Sequence, residues 1–87
     1  MNIVWEQEAG KKFNALIDKV PVFMRELAKS KVTEKLEKIL TKTNRSEATE
    51  KDLVDAFFEA TPFGFHGPMK TDMEALGIDY TQYGHAR

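Results

Sequence analysis

Cysteine is absent from this 87-residue chain. That removes disulfide staples, thiolate-held zinc or iron–sulfur sites and cysteine nucleophiles from what these residues can do. Proline is scarce at three residues and glycine at five, so few positions interrupt regular structure. No apolar run approaches the roughly 20 residues needed to span a bilayer. The N-terminal stretch also lacks the basic-then-apolar order of a secretory leader. The expectation is therefore a cytoplasmic protein with no place in a membrane. Neither sign of charge dominates, with 13 Lys and Arg against 14 Asp and Glu and a formal net charge of −1. A nucleic-acid-binding domain wants a basic excess, so nucleic acid is disfavoured as a partner.

What is present is ordinary for a small globular domain: 41% hydrophobic and 31% charged residues. A chain of this size buries roughly 60% of its unfolded surface, enough to fold alone with a thin margin. The hydrophobic period is helical throughout. Trp5, Ala9, Phe13, Leu16, Ile17 and Val20 recur at spacings of three and four, which predicts a first helix from about Val4 to Lys19. Gly10 weakens that helix and would let another helix approach closely. Pro21 suits the first turn of a second helix, running to about Thr41. Its buried stripe is expected at Met24, Leu27, Ala28, Val32, Leu36, Ile39 and Leu40, with Phe23 at the stripe's edge. Thr49 is the predicted N-cap of a third helix, and Thr49-x-x-Asp52 approximates a capping box. Leu53, Val54, Phe57, Phe58 and Ala60 cover about half of that helix, which predicts contact on two sides.

Thr61 to Pro68 holds two prolines and two glycines and reads as a loop, with Phe63, Phe65 and His66 in it. A short fourth helix is predicted from Thr71 to Leu76, with Gly77 as its left-handed terminator. The remaining tail reads as irregular, and the sequence has no evident internal repeat. The expected architecture is all-α: a three-helix domain of short, long and short helices over residues 1–61. A C-terminal extension over residues 62–87 carries the aromatic loop, the short fourth helix and the tail. A histone-like short–long–short arrangement fits the same pattern.

Charge is uneven along this frame. Pro21 to Thr43 holds six basic and three acidic residues, whereas Asn44 to Thr61 holds two basic and five acidic. A basic helix compensated by an acidic neighbour is the plain reading. Chemistry has little to work with. His66 and His85 lack a second ligand at helical spacing, so no metal or cofactor is expected. The carboxylates fall on polar helix faces, where a general acid or base is not expected, and no catalytic residue is assigned. The aromatics are the remaining feature: a core in the plain reading, or a groove for a flat apolar ligand in the sharper one.

One ordered set is more specific. Trp5, Glu8-Ala9, Phe13, Val20-Pro21-x-Phe23-Met24-Arg25, Glu34 and Thr49-x-x-Asp52-Leu53-Val54-x-Ala56 together resemble the small helical domain at the C-terminus of the B subunit of light-independent protochlorophyllide reductase. The resemblance covers about Val4 to Ala60. It implies a tie to chlorophyll biosynthesis, photosynthesis and an oxidoreductase whose clusters and catalytic residues lie in a large nitrogenase-like part. A cysteine-free chain of 87 residues is not that reductase by itself. What carries over is docking, which makes a non-catalytic protein-interaction module the first functional expectation. Its partner would be a protein such as a nitrogenase-like oxidoreductase component. Trp5, Phe23, Arg25 and Lys29, with Phe63, Phe65 and His66 in the loop, are its candidate binding residues. A binder of a tetrapyrrole or other planar apolar ligand is the alternative, and a histone-like DNA-binding dimer is a weaker one.

Overall fold

The computed structural model describes residues 3–87. A two-residue strand β1 (Val4–Trp5) precedes helix α1 (Ala9–Lys19), a 3-10 turn (Val22–Met24) and helix α2 (Arg25–Lys42). A second two-residue strand β2 (Glu47–Ala48) then precedes helix α3 (Glu50–Ala60), another 3-10 turn (Phe63–Phe65) and helix α4 (His66–Ala75). A last 3-10 turn covers Tyr80–Tyr83. The fold is all-α apart from the strand pair, which is parallel with Val4 opposite Glu47 and Trp5 opposite Ala48.

The order strand, helix, 3-10 turn, helix therefore occurs twice. The sequence shows no such repeat because side-chain identity differs between the halves. The parallel strand pair joins the starts of the two halves, and the backbone N–H of Glu6 extends it by donating to the Ala48 carbonyl at 2.9 Å.

The helix ends follow local rules. Thr49 caps α3 in a full capping box with Asp52, as its spacing predicts. α2 ends in a Schellman motif. Asn44 takes the left-handed conformation at φ 54°, and the Arg45 N–H reaches the Leu40 carbonyl at 2.9 Å. α4 ends in the same way, with Gly77 at φ 74° and the Ile78 N–H on the Met73 carbonyl at 2.9 Å. The predicted start of the last helix is corrected: α4 begins at His66, and Gly67 and Pro68 lie in its first turn. Proline is tolerated there because the first-turn N–H groups have no intrahelical partner. Val4 to Glu8 is likewise not helical, since α1 starts at Ala9.

α3 is the central element. It packs mainly on α2 and also meets α1 and the Tyr80–Tyr83 turn, in keeping with its wide apolar arc. Leu36, Leu40, Leu53, Val54 and Met73 are completely buried. The segment after residue 61 is not peripheral to this core, because Met69, Met73, Ile78 and Tyr80 belong to the same cluster as Leu36 and Leu53.

The Trp5 side chain of β1, not a neighbouring helix, lies nearest Gly10, so the glycine serves a contact within its own half. A Cβ built there would lie 3.1 Å from Trp5 Cγ and 3.2 Å from Trp5 Cβ, and the Trp5 ring stacks on Phe13 with centroids 5.1 Å apart. These are the base atoms of the tryptophan, which cannot swing away without moving β1. Gly10→Val is expected to cost about 1–3 kcal/mol by overpacking. Thermal unfolding would measure the loss, with a red shift of the Trp5 emission as the ring is displaced.

Candidate functional site: two proline corners

Each half turns the same corner between its two helices. α1 ends at Lys19, Val20 is extended, and Pro21 (φ −52°, ψ 141°) leads into the Val22–Met24 turn. α3 ends at Ala60, Thr61 is extended, and Pro62 (φ −56°, ψ 144°) leads into the Phe63–Phe65 turn. Proline fixes the required φ, and in each corner its carbonyl accepts the N–H of the third turn residue at 2.9 Å.

The corners are also locked alike. Arg25, the first residue of α2, donates through Nε to the Val20 carbonyl at 2.8 Å and through Nη2 to the Asp18 carbonyl at 2.8 Å. His66, the first residue of α4, meets the Thr61 carbonyl through Nε2 at 2.9 Å. A carbonyl only accepts, so Nε2 carries the proton in that contact. In both corners the first residue of the second helix closes the last free carbonyl of the first, the group a helix end otherwise leaves unpaired. The Arg25 cation gains further from the negative end of α1.

This lock sets the turn side chains outward. Phe23 is 87% exposed and Phe63 88%, with Val22 at 74% and Phe65 at 63%. Met24 and Leu27 are also exposed, against the expectation that both lie in the buried stripe of α2. The physical reason is that α2 overhangs at its N-terminal end: its fully buried residues begin at Val32. Single exposed aliphatic residues are common on protein surfaces; phenylalanines held out on a rigid corner are not.

The candidate residues thus separate. Phe23 and Arg25 build the first corner, with exposed Lys29 one turn further along α2. Phe63, Phe65 and His66 build the second, where the His66 and Phe63 rings lie 5.5 Å apart. Trp5 belongs to neither corner, being half-buried against Gly10 and Phe13. Arg25 and His66 act as corner locks, and the groups offered to solvent are the apolar turn residues. Val22, Met24 and Leu27 were missed from sequence. The shared proline followed four residues later by a side-chain donor was the signal available.

A second cluster was also missed. His85 stacks on Phe58 with centroids 3.9 Å apart and contacts Asp55 Oδ1 through Nε2 at 2.6 Å. Phe58 also meets the edge of His66 at 5.2 Å, so the tail and the second corner share one ring. Among the described residues, no three His, Asp or Glu side chains gather as a metal site. Two shallow depressions lined by charged and hydroxyl-bearing residues lie along the outer face of α2, one of them reaching Glu26 and Lys29 beside the first corner. No helix is long and apolar enough to cross a membrane among the described residues.

The charges of α3 are neutralised locally. Asp52 takes a two-pronged ion pair from Arg45 at 2.9 and 2.7 Å. Burial alone would raise the pKa of Asp52, but Arg45 and the Thr49 hydrogen bonds outweigh it and hold the carboxyl below its ordinary value. Glu50 is held low against its own desolvation by Lys12 and by the Tyr83 hydroxyl, which donates at 2.5 Å. Burial and Glu50 together push the Tyr83 phenol strongly upward. Asp55 pairs with Lys51 at 2.7 Å as well as with His85. Glu50, Asp52 and Asp55 of α3 are thus answered by α1, the α2–α3 connection, α3 itself and the tail, not by the lysines of α2.

A family model described as "Protein of unknown function (DUF2621)" matches residues 1–86. No curated protein and no solved structure matches the chain.

Proposed function

The chain belongs to the DUF2621 family, and we propose that it is a non-catalytic docking module that binds a protein partner through its proline corners. The observation that carries this reading is the pair of locked corners holding Phe23 and Phe63 almost wholly in solvent. A buried partner surface closing over such an aromatic is what makes a binding anchor. Preorganisation adds to it, because Arg25 and His66 fix the turns before any partner arrives. The resemblance to the C-terminal domain of the protochlorophyllide reductase B subunit points the same way. It suggests an oxidoreductase component as the partner class, with this chain supplying contact and not chemistry.

The test is the double variant Phe63→Ala/Phe65→Ala. Both side chains are exposed, so the helical circular dichroism and the melting temperature should stay close to those of the parent. Quantitative capture of the partner should fall at least tenfold, since truncating two anchors costs about 1–2 kcal/mol each. Unchanged capture by the folded double variant would remove the second corner from the interface.

A further inference from the structure

We propose that the outer stripe of α2 docks an acidic amphipathic helix of the partner protein. This inference rests on the docking-module reading and names the chemistry of what docks. Met24, Leu27, Lys31, Lys35, Lys38 and Lys42 follow one another at spacings of three and four, which sets them in one row on a helix. The row is apolar at its start, where Met24 and Leu27 are exposed beside Phe23, and basic from there to the end. Lys31, Lys38 and Lys42 are exposed and Lys35 is half-buried. The core row of the same helix, Val32, Leu36 and Leu40, is separate from it.

Three features point to an anionic helix as the occupant. The first is unanswered charge. Among the described residues, Lys31, Lys35 and Lys42 have no carboxylate within salt-bridge distance, and Lys38 has only exposed Glu34 at 3.6 Å. Like charges four residues apart repel one another, a cost that a facing carboxylate row relieves. The second is length: within α2, Leu27 to Lys42 spans about 22 Å at 1.5 Å per residue, the reach of a four-turn helix. The third is width. The row is one side chain across and is bordered by Glu34, Glu37 and Thr41, which line the depression beside Lys38 and Lys42. A flat anionic lipid surface would have to face those carboxylates, whereas a helix lying along the row need not. A nucleic acid would leave the apolar start of the row unused and would meet a chain of net charge −1.

The test is selection of helical peptides from a displayed random library on the whole protein. The enriched peptides should carry Asp or Glu at spacings of three and four, with an apolar residue at one end. They should bind Lys31→Glu/Lys35→Glu/Lys42→Glu at least tenfold more weakly, and peptides with those acids exchanged for lysine should recover binding to that variant. The neutral variant Lys31→Gln/Lys35→Gln/Lys42→Gln should fall between, and circular dichroism checks that both variants fold. Failure to enrich acidic helices, or binding indifferent to charge reversal, would overturn the inference. Lysine-dependent sedimentation with phosphatidylglycerol vesicles and no acidic peptide enriched would overturn it in favour of a lipid surface. Peptides that lose binding in Phe63→Ala/Phe65→Ala but not in the lysine variants would overturn it while leaving the docking module standing.

Discussion

Replacing Asp52 with alanine is expected to lower stability by about 3 kcal/mol, because it removes a helix cap and a charge-assisted ion pair together. For a domain of this size that corresponds to a fall in melting temperature of roughly 10–20 °C. Asp52 is the one buried charged residue among those described, at 3% exposure. Its carboxylate accepts from the Thr49 backbone N–H at 2.9 Å and from both Arg45 nitrogens, so it ties the α2–α3 connection to the first turn of α3. Alanine frees the Thr49 donor and leaves Arg45, half in solvent, to find water. The Asp52→Asn variant would keep part of the cap and lose the ion pair, so a smaller loss is expected.

The pH dependence separates charge from shape. The folded pKa of Asp52 lies below its unfolded value of 3.8. The stabilising contribution is therefore complete above pH 3.8 and disappears as pH falls through the lower folded value. Glu50, lowered from 4.5, acts in the same sense. The stability gap between the parent and Asp52→Asn, measured by urea unfolding at a series of pH values, should be widest near neutrality. It should close in acid, where the parent carboxyl is itself protonated. A gap that stays constant into acid would mean that the ion pair contributes nothing and that only the cap geometry matters.

Asp52 also shows which part of this molecule a sequence can carry. The capping box is a local pattern, and Thr49-x-x-Asp52 is legible because the interaction spans three residues. The same holds for Gly77, whose left-handed position follows from the end of an apolar period, and for the helical stripes themselves. Arg45 on Asp52 was not legible, since nothing in the spacing says which surface arginine will turn inward. Nor was the pairing of Val4 with Glu47, two segments too short to show a strand period, brought together by the helices that follow them. The corners were half legible. Pro21 and Pro62 announce breaks, yet the aromatics after them read equally as core or as candidate binding residues, and spacing alone does not choose between the two. Only the carbonyl locks by Arg25 and His66, which need coordinates to see, explain why those side chains face water.

The tail, which the sequence shows only as irregular, supplies the second large effect. Truncation after Gly77 is expected to unfold the domain, not merely trim it. Ile78 and Tyr80 are each 2% exposed within the common core, and losing one large buried side chain costs about 2–5 kcal/mol. The cut also removes the Tyr80 hydroxyl bond to Glu74 at 2.9 Å, the Tyr83 bond to Glu50 and the His85 stack on Phe58. Ile78 also supplies the N–H that closes the Schellman motif of α4, so the helix end loosens with the core. Against a total stability of roughly 4–13 kcal/mol for a chain of this length, those losses leave little or nothing. Circular dichroism and a melting curve of the truncated chain decide the point. A cooperative transition within a few degrees of the parent would mean that the tail is an appendage after all. Its absence would place Ile78 and Tyr80 among the residues the fold cannot do without. It would also tie the second proline corner to the same cooperative unit, since the ring of Phe58 that His85 covers is the one His66 packs against.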